Sequence, residues 1–169
     1  MIFEKISEEN VEELYRLVSN PVYSSNCGDI QKDYESFKKN TLALARGLRR
    51  NHVLLRDSQN VLFGTVFGYR FYPEDKTMCV TIFIKEGFYG TGIRSMKKFL
   101  EQIFLEFDLY KVYFHVYSYN ENCLRIIKKL GIPQEGHLVG HRLLQGKRHD
   151  LFIFSLTKEY FSKLFLKLT

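Results

Sequence analysis

Hydrophobic positions recur at helical spacing in two early stretches and then at every second residue, and this change of period lays out the fold. Residues 2–6 alternate weakly and predict a first strand. Ser7-Glu8-Glu9-Asn10 reads as an N-cap with an acidic first turn, and Val11, Leu14, Leu17 and Val18 carry a helix to the break at Asn20-Pro21. Residues 22–28 are small and polar, which predicts a loop. Ile30 to Leu48 predicts a second helix, with Tyr34, Phe37, Thr41, Leu44 and Leu48 on one stripe. From His52 the period is that of strands. Val53–Arg56, the turn Asp57-Ser58-Gln59-Asn60, a long strand Val61–Tyr72, a turn at Pro73–Lys76 and the strand Met78–Ile84 make an antiparallel meander.

Helical spacing returns at Ile93 to Phe107, where Ile93, Met96, Leu100, Ile103 and Phe107 share a side widened by Phe99 and Phe104. Lys111–Tyr117 predicts another strand, and Asn120–Leu130 a helix stopped by Gly131. Gln134–Leu144, the turn Gln145-Gly146-Lys147 and His149–Leu156 predict a closing hairpin. The last dozen residues place Tyr160, Phe161, Leu164, Phe165 and Leu168 on one helical face, which suits docking on the body or on a second subunit better than lying on a membrane surface. The order β-α-α-β-β-β-α-β-α-β-β predicts a mixed sheet with helices packed over it.

Composition narrows the class. A chain of 169 residues, 45% apolar and 26% charged with three prolines, predicts a single domain over residues 1–169 with a substantial core. Cys27, Cys79 and Cys123 are widely spaced with no CxxC pair, which argues against a disulfide framework or a structural metal site and for the reducing cytoplasm. The first residues lack the pattern of a signal peptide, and no apolar run reaches the length of a membrane span. A net charge of +6 favours an anionic ligand. Arg46, Arg49 and Arg50 form the densest basic cluster, but they read as a solvated helix end and no nucleic acid is expected.

The candidate chemistry lies at the junction of strand Met78–Ile84, the turn Gly87-Phe88-Tyr89-Gly90-Thr91-Gly92 and the helix that follows. Such a junction directs free backbone N–H groups and the positive end of a helix dipole at one point, which suits a phosphate or pyrophosphate. A dinucleotide fingerprint would need a third glycine where Ser95 stands and an acid where Tyr117-Ser118 ends the next strand.

The element order and this loop together resemble the GNAT acetyltransferase superfamily over essentially the whole chain. The family's Arg/Gln-x-x-Gly-x-Gly/Ala loop aligns with Tyr89-Gly90-Thr91-Gly92-Ile93-Arg94, keeping Gly92 at its centre. Asn120-Glu121-Asn122-Cys123 through Lys129-Leu130-Gly131-Ile132, followed by Glu135-Gly136, resembles the family's Asn-x-x-Ser/Ala-x-x-x-Tyr-x-Lys-x-Gly-Phe…Glu-Gly segment at the right distance. The resemblance is nearest to the subgroup of ribosomal-protein N-terminal acetyltransferases. It implies an α/β (α+β) GNAT fold: a mixed, mostly antiparallel sheet of about seven strands flanked by four helices, plus a C-terminal helix. It also implies acetyl-CoA, with its pyrophosphate on the amides of Tyr89, Gly90, Thr91, Gly92, Ile93 and Arg94. Its pantetheine arm would lie along Phe83 and Ile84, where the strand splays from strand 111–117, and against Asn120 and Cys123. Three positions depart from the family: Ile127 stands at the catalytic tyrosine, Arg94 at a small residue and Tyr89 at a cation or amide.

Transfer to an amine needs a base for the ammonium and a proton for the leaving thiolate. His115 and His141 are the candidate bases, since histidine titrates near neutrality. Cys123, where the ribosomal subgroup often has serine, is the candidate donor. Glu135 reads as a structural hydrogen-bond partner. The acceptor is expected to be a small-molecule or peptide amine bound by residues 20–50 and 70–76, where Asp29, Asp33, Glu35 and Glu74 are the acidic candidates. The net charge argues against a strongly cationic polyamine and for a neutral or anionic carrier of the amine. A non-catalytic acyl-CoA-binding module is the alternative, and the apolar last helix is compatible with a homodimer.

Overall fold

The computed structural model describes residues 1–20, 33–47, 51–88 and 90–166. The chain runs β1 (Ile2–Lys5), α1 (Val11–Val18), α2 (Tyr34–Arg46), β2 (His52–Arg56), β3 (Leu62–Tyr72), β4 (Thr77–Ile84), α3 (Thr91–Glu106), β5 (Lys111–Tyr117), α4 (Glu121–Lys129), β6 (Gln134–Leu144), β7 (Lys147–Thr157) and α5 (Lys158–Leu166). The order of elements is the predicted one. The differences are local. Ser7–Asn10 forms a turn of its own, with the Ser7 N–H donating to Asn10 Oδ1 at 2.9 Å, so α1 begins at Val11 and its acidic first turn is Glu12-Glu13. The expected second helix is described from Tyr34, capped by Asp33, whose carboxylate accepts from the Ser36 N–H at 2.8 Å. Its predicted ends at Ile30 and Leu48 lie outside the described residues, as do Cys27, Asp29, Arg49, Arg50, Tyr89 and Leu168.

The seven strands form one sheet in the order β1-β2-β3-β4-β5-β7-β6. Every adjacent pair is antiparallel except β4 with β5, which is parallel. Period-two alternation gives the sheet two apolar faces. Val53, Leu55, Val66, Met78, Val80, Val112, Phe114, Phe154 and Leu156 face the main core, roofed by Phe99, Leu100, Ile103 and Phe104 of α3 and Ile127 of α4. The last helix docks on this body: Phe161 and Phe165 are buried, and Phe161 packs against Phe104 at 5.3 Å between ring centres. On the opposite face, Leu54 meets Ile6, Val11, Leu14, Val18 and Leu42 of the first helical pair and its approach.

Arg56 ties the N-terminal elements together. Its side chain is 9% exposed and pairs with Glu4 of β1 and, at 3.1 Å, with Glu13 of α1. Both carboxylates lie partly in water, so the cluster's contribution to stability is smaller than that of a fully buried pair.

The parallel pair governs the site. β4 and β5 keep register only for Thr77–Cys79 against Lys111–Tyr113. Beyond that point β4 continues with β3 as far as Ile84, and β5 continues with β7 as far as Tyr117. Each strand retains an antiparallel partner while the two draw apart, so the sheet opens without stranding whole strands from their ladders. Gly64 sets how closely β3 approaches the opening: a Cβ there would meet the Phe83 carbonyl oxygen at 2.3 Å and the Ile84 side chain at 3.0 Å. Neither backbone can yield within the ladder. Gly64→Ala is expected to destabilise the fold by about 3 kcal/mol or more, read as a lower urea midpoint with an unchanged m value.

Candidate active site

Two structures converge where β4 and β5 part. The first is the loop from β4 into α3. Phe88 anchors it, stacking on Phe63 at 5.2 Å between ring centres and 22° between planes. Gly90 is the N-cap of α3 at φ 79°, a left-handed conformation that favours glycine, and no side chain caps the helix. The first turn carries no carboxylate. Thr91 turns its hydroxyl back onto the Phe88 carbonyl at 2.6 Å. Among the described residues, the first-turn N–H groups of this 16-residue helix have no capping side chain, and the turn itself carries no neutralising charge. Gly92 has helical backbone, and a Cβ there would make only an ordinary 3.4 Å contact with Ile84. Neither conformation nor packing inside the protein requires glycine at that position. Ile93 packs against the main core, whereas Arg94 is exposed.

Phe83 and Ile84 occupy the last turn of the pleat in β4, past the end of its register with β5. Phe83 is buried and Ile84 packs against the main core. Across the gap, Asn120 caps α4, its side-chain oxygen accepting from the Cys123 N–H at 3.2 Å. The Cys123 side chain packs against the main core, and burial pushes its thiol up to about 11. Ile127, at the position aligned with the family's tyrosine, is buried in that core.

The second structure lies on the face shared with α1 and α2. Register pairs Tyr69 of β3 with Cys79 of β4, and Cys79 with Tyr113 of β5. His115 and Tyr117 follow on the same face of β5, beyond the last parallel pair. The Tyr69 hydroxyl stands 3.4 Å from His115 Nδ1, and Thr81 is its other partner. Burial, then Arg70, then His141 hold His115 below the ordinary histidine range, so it is neutral at pH 7. Burial pushes Tyr69 and Cys79 up, so both keep their protons. His141 lies near the Tyr117 ring at 6.4 Å between ring centres, and the Arg142 guanidinium sits 5.0 Å from the centre of the same ring.

His115 and His141 thus belong to one cluster, while Cys123 lies with the opposite core. Glu135 accepts from Lys111 at 3.0 Å and also from Ser155, the structural role expected of it. Among the described residues no group of three or more His, Cys, Asp or Glu side chains is placed to hold a metal ion. Tyr69, Arg70, Tyr117 and Arg142 were not legible as site residues. In sequence they are ordinary strand positions, and only the β3 bulge between Tyr69 and Tyr72 and the sheet register bring them to His115.

The sequence matches no protein-family profile and no curated protein. The fold, in contrast, is matched by many solved structures. One is a spermidine N-acetyltransferase from Vibrio cholerae in complex with CoA and spermine, at a TM-score of 0.86 and 17% identity over 95% of this chain and 97% of that one. Another is the spermidine/spermine N-acetyltransferase from Vibrio cholerae with manganese ions, at 0.82 and 15% identity over 96% and 95% of the two chains. A chimera of the Vibrio cholerae enzyme with hSSAT gives 0.83 and 16% over 96% and 99%. The chain therefore has the GNAT fold, as the sequence predicted. The ribosomal-protein subgroup finds no support in these neighbours, which are spermidine acetyltransferases.

Proposed function

We propose that the protein is an acetyl-CoA-dependent N-acetyltransferase acting on a primary amine. The observation that carries the proposal is the uncapped, carboxylate-free start of α3 opening beside the parting of β4 and β5. Backbone amides of Gly92, Ile93 and Arg94 would take the pyrophosphate, with Gly92 small because the ligand needs the space. The facing edges of β4 and β5 would hold the amide-bearing pantetheine arm as an added strand. Tyr89, Gly90 and Thr91 complete the proposed cradle, and Asn120 and Cys123 flank the arm. The neighbour crystallised with CoA and spermine supports this pairing of cofactor and amine. When bound, acetyl-CoA supplies a thioester carbonyl that an unprotonated amine attacks to give an amide and free thiol.

His115 is the proposed base. Its Nδ1 faces Tyr69, leaving Nε2 to take the ammonium proton of the acceptor. Its lowered pKa keeps it neutral and able to accept at physiological pH, and a charge on His141 opposes the imidazolium that results, which favours passing the proton on to water. Cys123 fits the role of proton donor less well. A thiol at about 11 would give its proton to an ordinary thiolate, near 8.5, at an uphill cost of about 3 kcal/mol. A second reading, an acyl-CoA-binding module without turnover, draws on Ile127, which lies in the core at the family's tyrosine position. Steady release of CoA thiol in the presence of an amine excludes it.

Four outcomes test this proposal. Gly92→Val is expected to abolish acetyl-CoA binding and thiol release while leaving the melting temperature within a few degrees of wild type; normal affinity would overturn the cradle. The kcat/KM should rise with pH through an apparent pKa below 6.5 and level off above it, because the base works only when neutral. His115→Gln should remove that limb and cost about 10²–10⁴-fold in kcat, and a profile unaltered by the substitution would assign the base elsewhere. Cys123→Ala should leave kcat within about threefold of wild type, far short of the loss typical of a proton-transfer group.

A further inference from the structure

We propose that the amine accepted at this site also carries an anionic group, a carboxylate or a phosphate, and that Arg70 and Arg142 hold it. This inference rests on the acetyl-transfer reading and specifies its acceptor.

Arg70 lies in the bulge between Tyr69 and Tyr72 with φ 50°, where Gly, Asn or Asp would sit at lower cost. The backbone gives no reason for an arginine there. Its exposed guanidinium is 5.9 Å from the centre of the Tyr69 ring, and the Tyr69 hydroxyl faces His115 at 3.4 Å. On the other side of His115, two residues along β5, the Tyr117 ring carries the Arg142 guanidinium at 5.0 Å and His141 at 6.4 Å. Arg70 is thus the guanidinium whose charge reaches His115, and Arg142 stands over the ring of Tyr117, the next residue on that face of β5.

Neither arginine makes an ion pair among the described residues, a state they share with Arg94, Arg125 and Arg148, while Arg16, Arg46 and Arg56 are paired. No carboxylate among the described residues acts on Tyr69, Cys79 or His115; the charge that reaches all three is that of Arg70. Asp33, an acidic candidate for the acceptor, is engaged as the α2 cap. A polycation placed at His115 would meet the positive charge of Arg70, with Arg142 over the neighbouring Tyr117 ring and no carboxylate acting on His115 among the described residues. An amine bearing an anion would instead set that anion against planar guanidinium forks suited to a carboxylate or a phosphate. The same residues that disfavour a spermidine-like acceptor would thus orient an amino acid or an amino phosphate.

Calorimetric titration of matched amines, with and without saturating CoA, tests this directly. The probes are glycine against glycinamide, phosphoethanolamine against ethanolamine, and glucosamine 6-phosphate against glucosamine, with spermidine as the polycation. In at least one pair the anionic member should bind about tenfold or more tightly than both its partner without the anion and spermidine. The glycine and phosphate pairs distinguish the two anions. Arg70→Asn, which keeps a residue suited to positive φ, and Arg142→Gln should each remove most of that preference without altering the melting temperature. Spermidine or the members without an anion binding as tightly, no anionic member binding at millimolar concentration, or a preference that survives both substitutions would overturn the proposal. Loss of CoA binding with the anion preference intact would count against acetyl transfer instead, so the two failures are distinguishable.

Discussion

The short parallel ladder between β4 and β5 is the constraint on which the rest of the molecule depends. Three register pairs join the two halves of the sheet, and then each strand follows its own antiparallel neighbour. A longer ladder would close the sheet and leave no edge for an extended ligand. A shorter one would divide the main core, which Met78 and Val80 of β4 share with Val112 and Phe114 of β5. The opening also fixes the chemistry beside it. It brings the start of α3, the cap of α4 and the His115 face of β5 to one place, although they come from separate parts of the chain.

Electrostatics divides this place into two regions. At the start of α3 the positive character comes from backbone amides, with no acidic side chain in the first turn to cancel it. On the His115 face burial does most of the work: it keeps Tyr69 and Cys79 protonated and His115 neutral, and Arg70 deepens the effect on the histidine. A neutral imidazole beside unneutralised guanidinium groups is a proton acceptor in a field that favours anions. These two features together are the basis of the proposal that the acceptor carries an anion, unlike the polyamines named for its structural neighbours.

Most of the fold was legible because period and punctuation carry it. The shift from spacings of three and four residues to alternation at His52 marks the boundary between the helical pair and the sheet. Gly90 and Gly92 mark the start of α3 through backbone conformation and size. The segment from Asn120 to Leu130 was legible as α4, which lies one residue inside each expected end, whereas the capping role of Asn120 was not foreseen. The acceptor face was not legible, because it depends on register and on one bulge. Nothing in Tyr69-Arg70-Phe71-Tyr72 reveals that the third dimension will place Tyr69 against His115, or that Arg70 will take a positive φ. The chemical state of Cys123 was hidden for a related reason: its neighbours in sequence are polar, but its neighbours in space are the main core.

The central claim is that the parted strands and the uncapped helix make a CoA site, and one titration tests it most directly. Acetyl-CoA added to the purified full-length protein in a calorimeter should bind saturably at one site per chain with a Kd of roughly micromolar order, about −8 kcal/mol. The isolated adenosine portion lacking pyrophosphate and pantetheine should bind far more weakly. No heat of binding at millimolar acetyl-CoA would contradict the account and leave the fold without the ligand its opening was argued to receive.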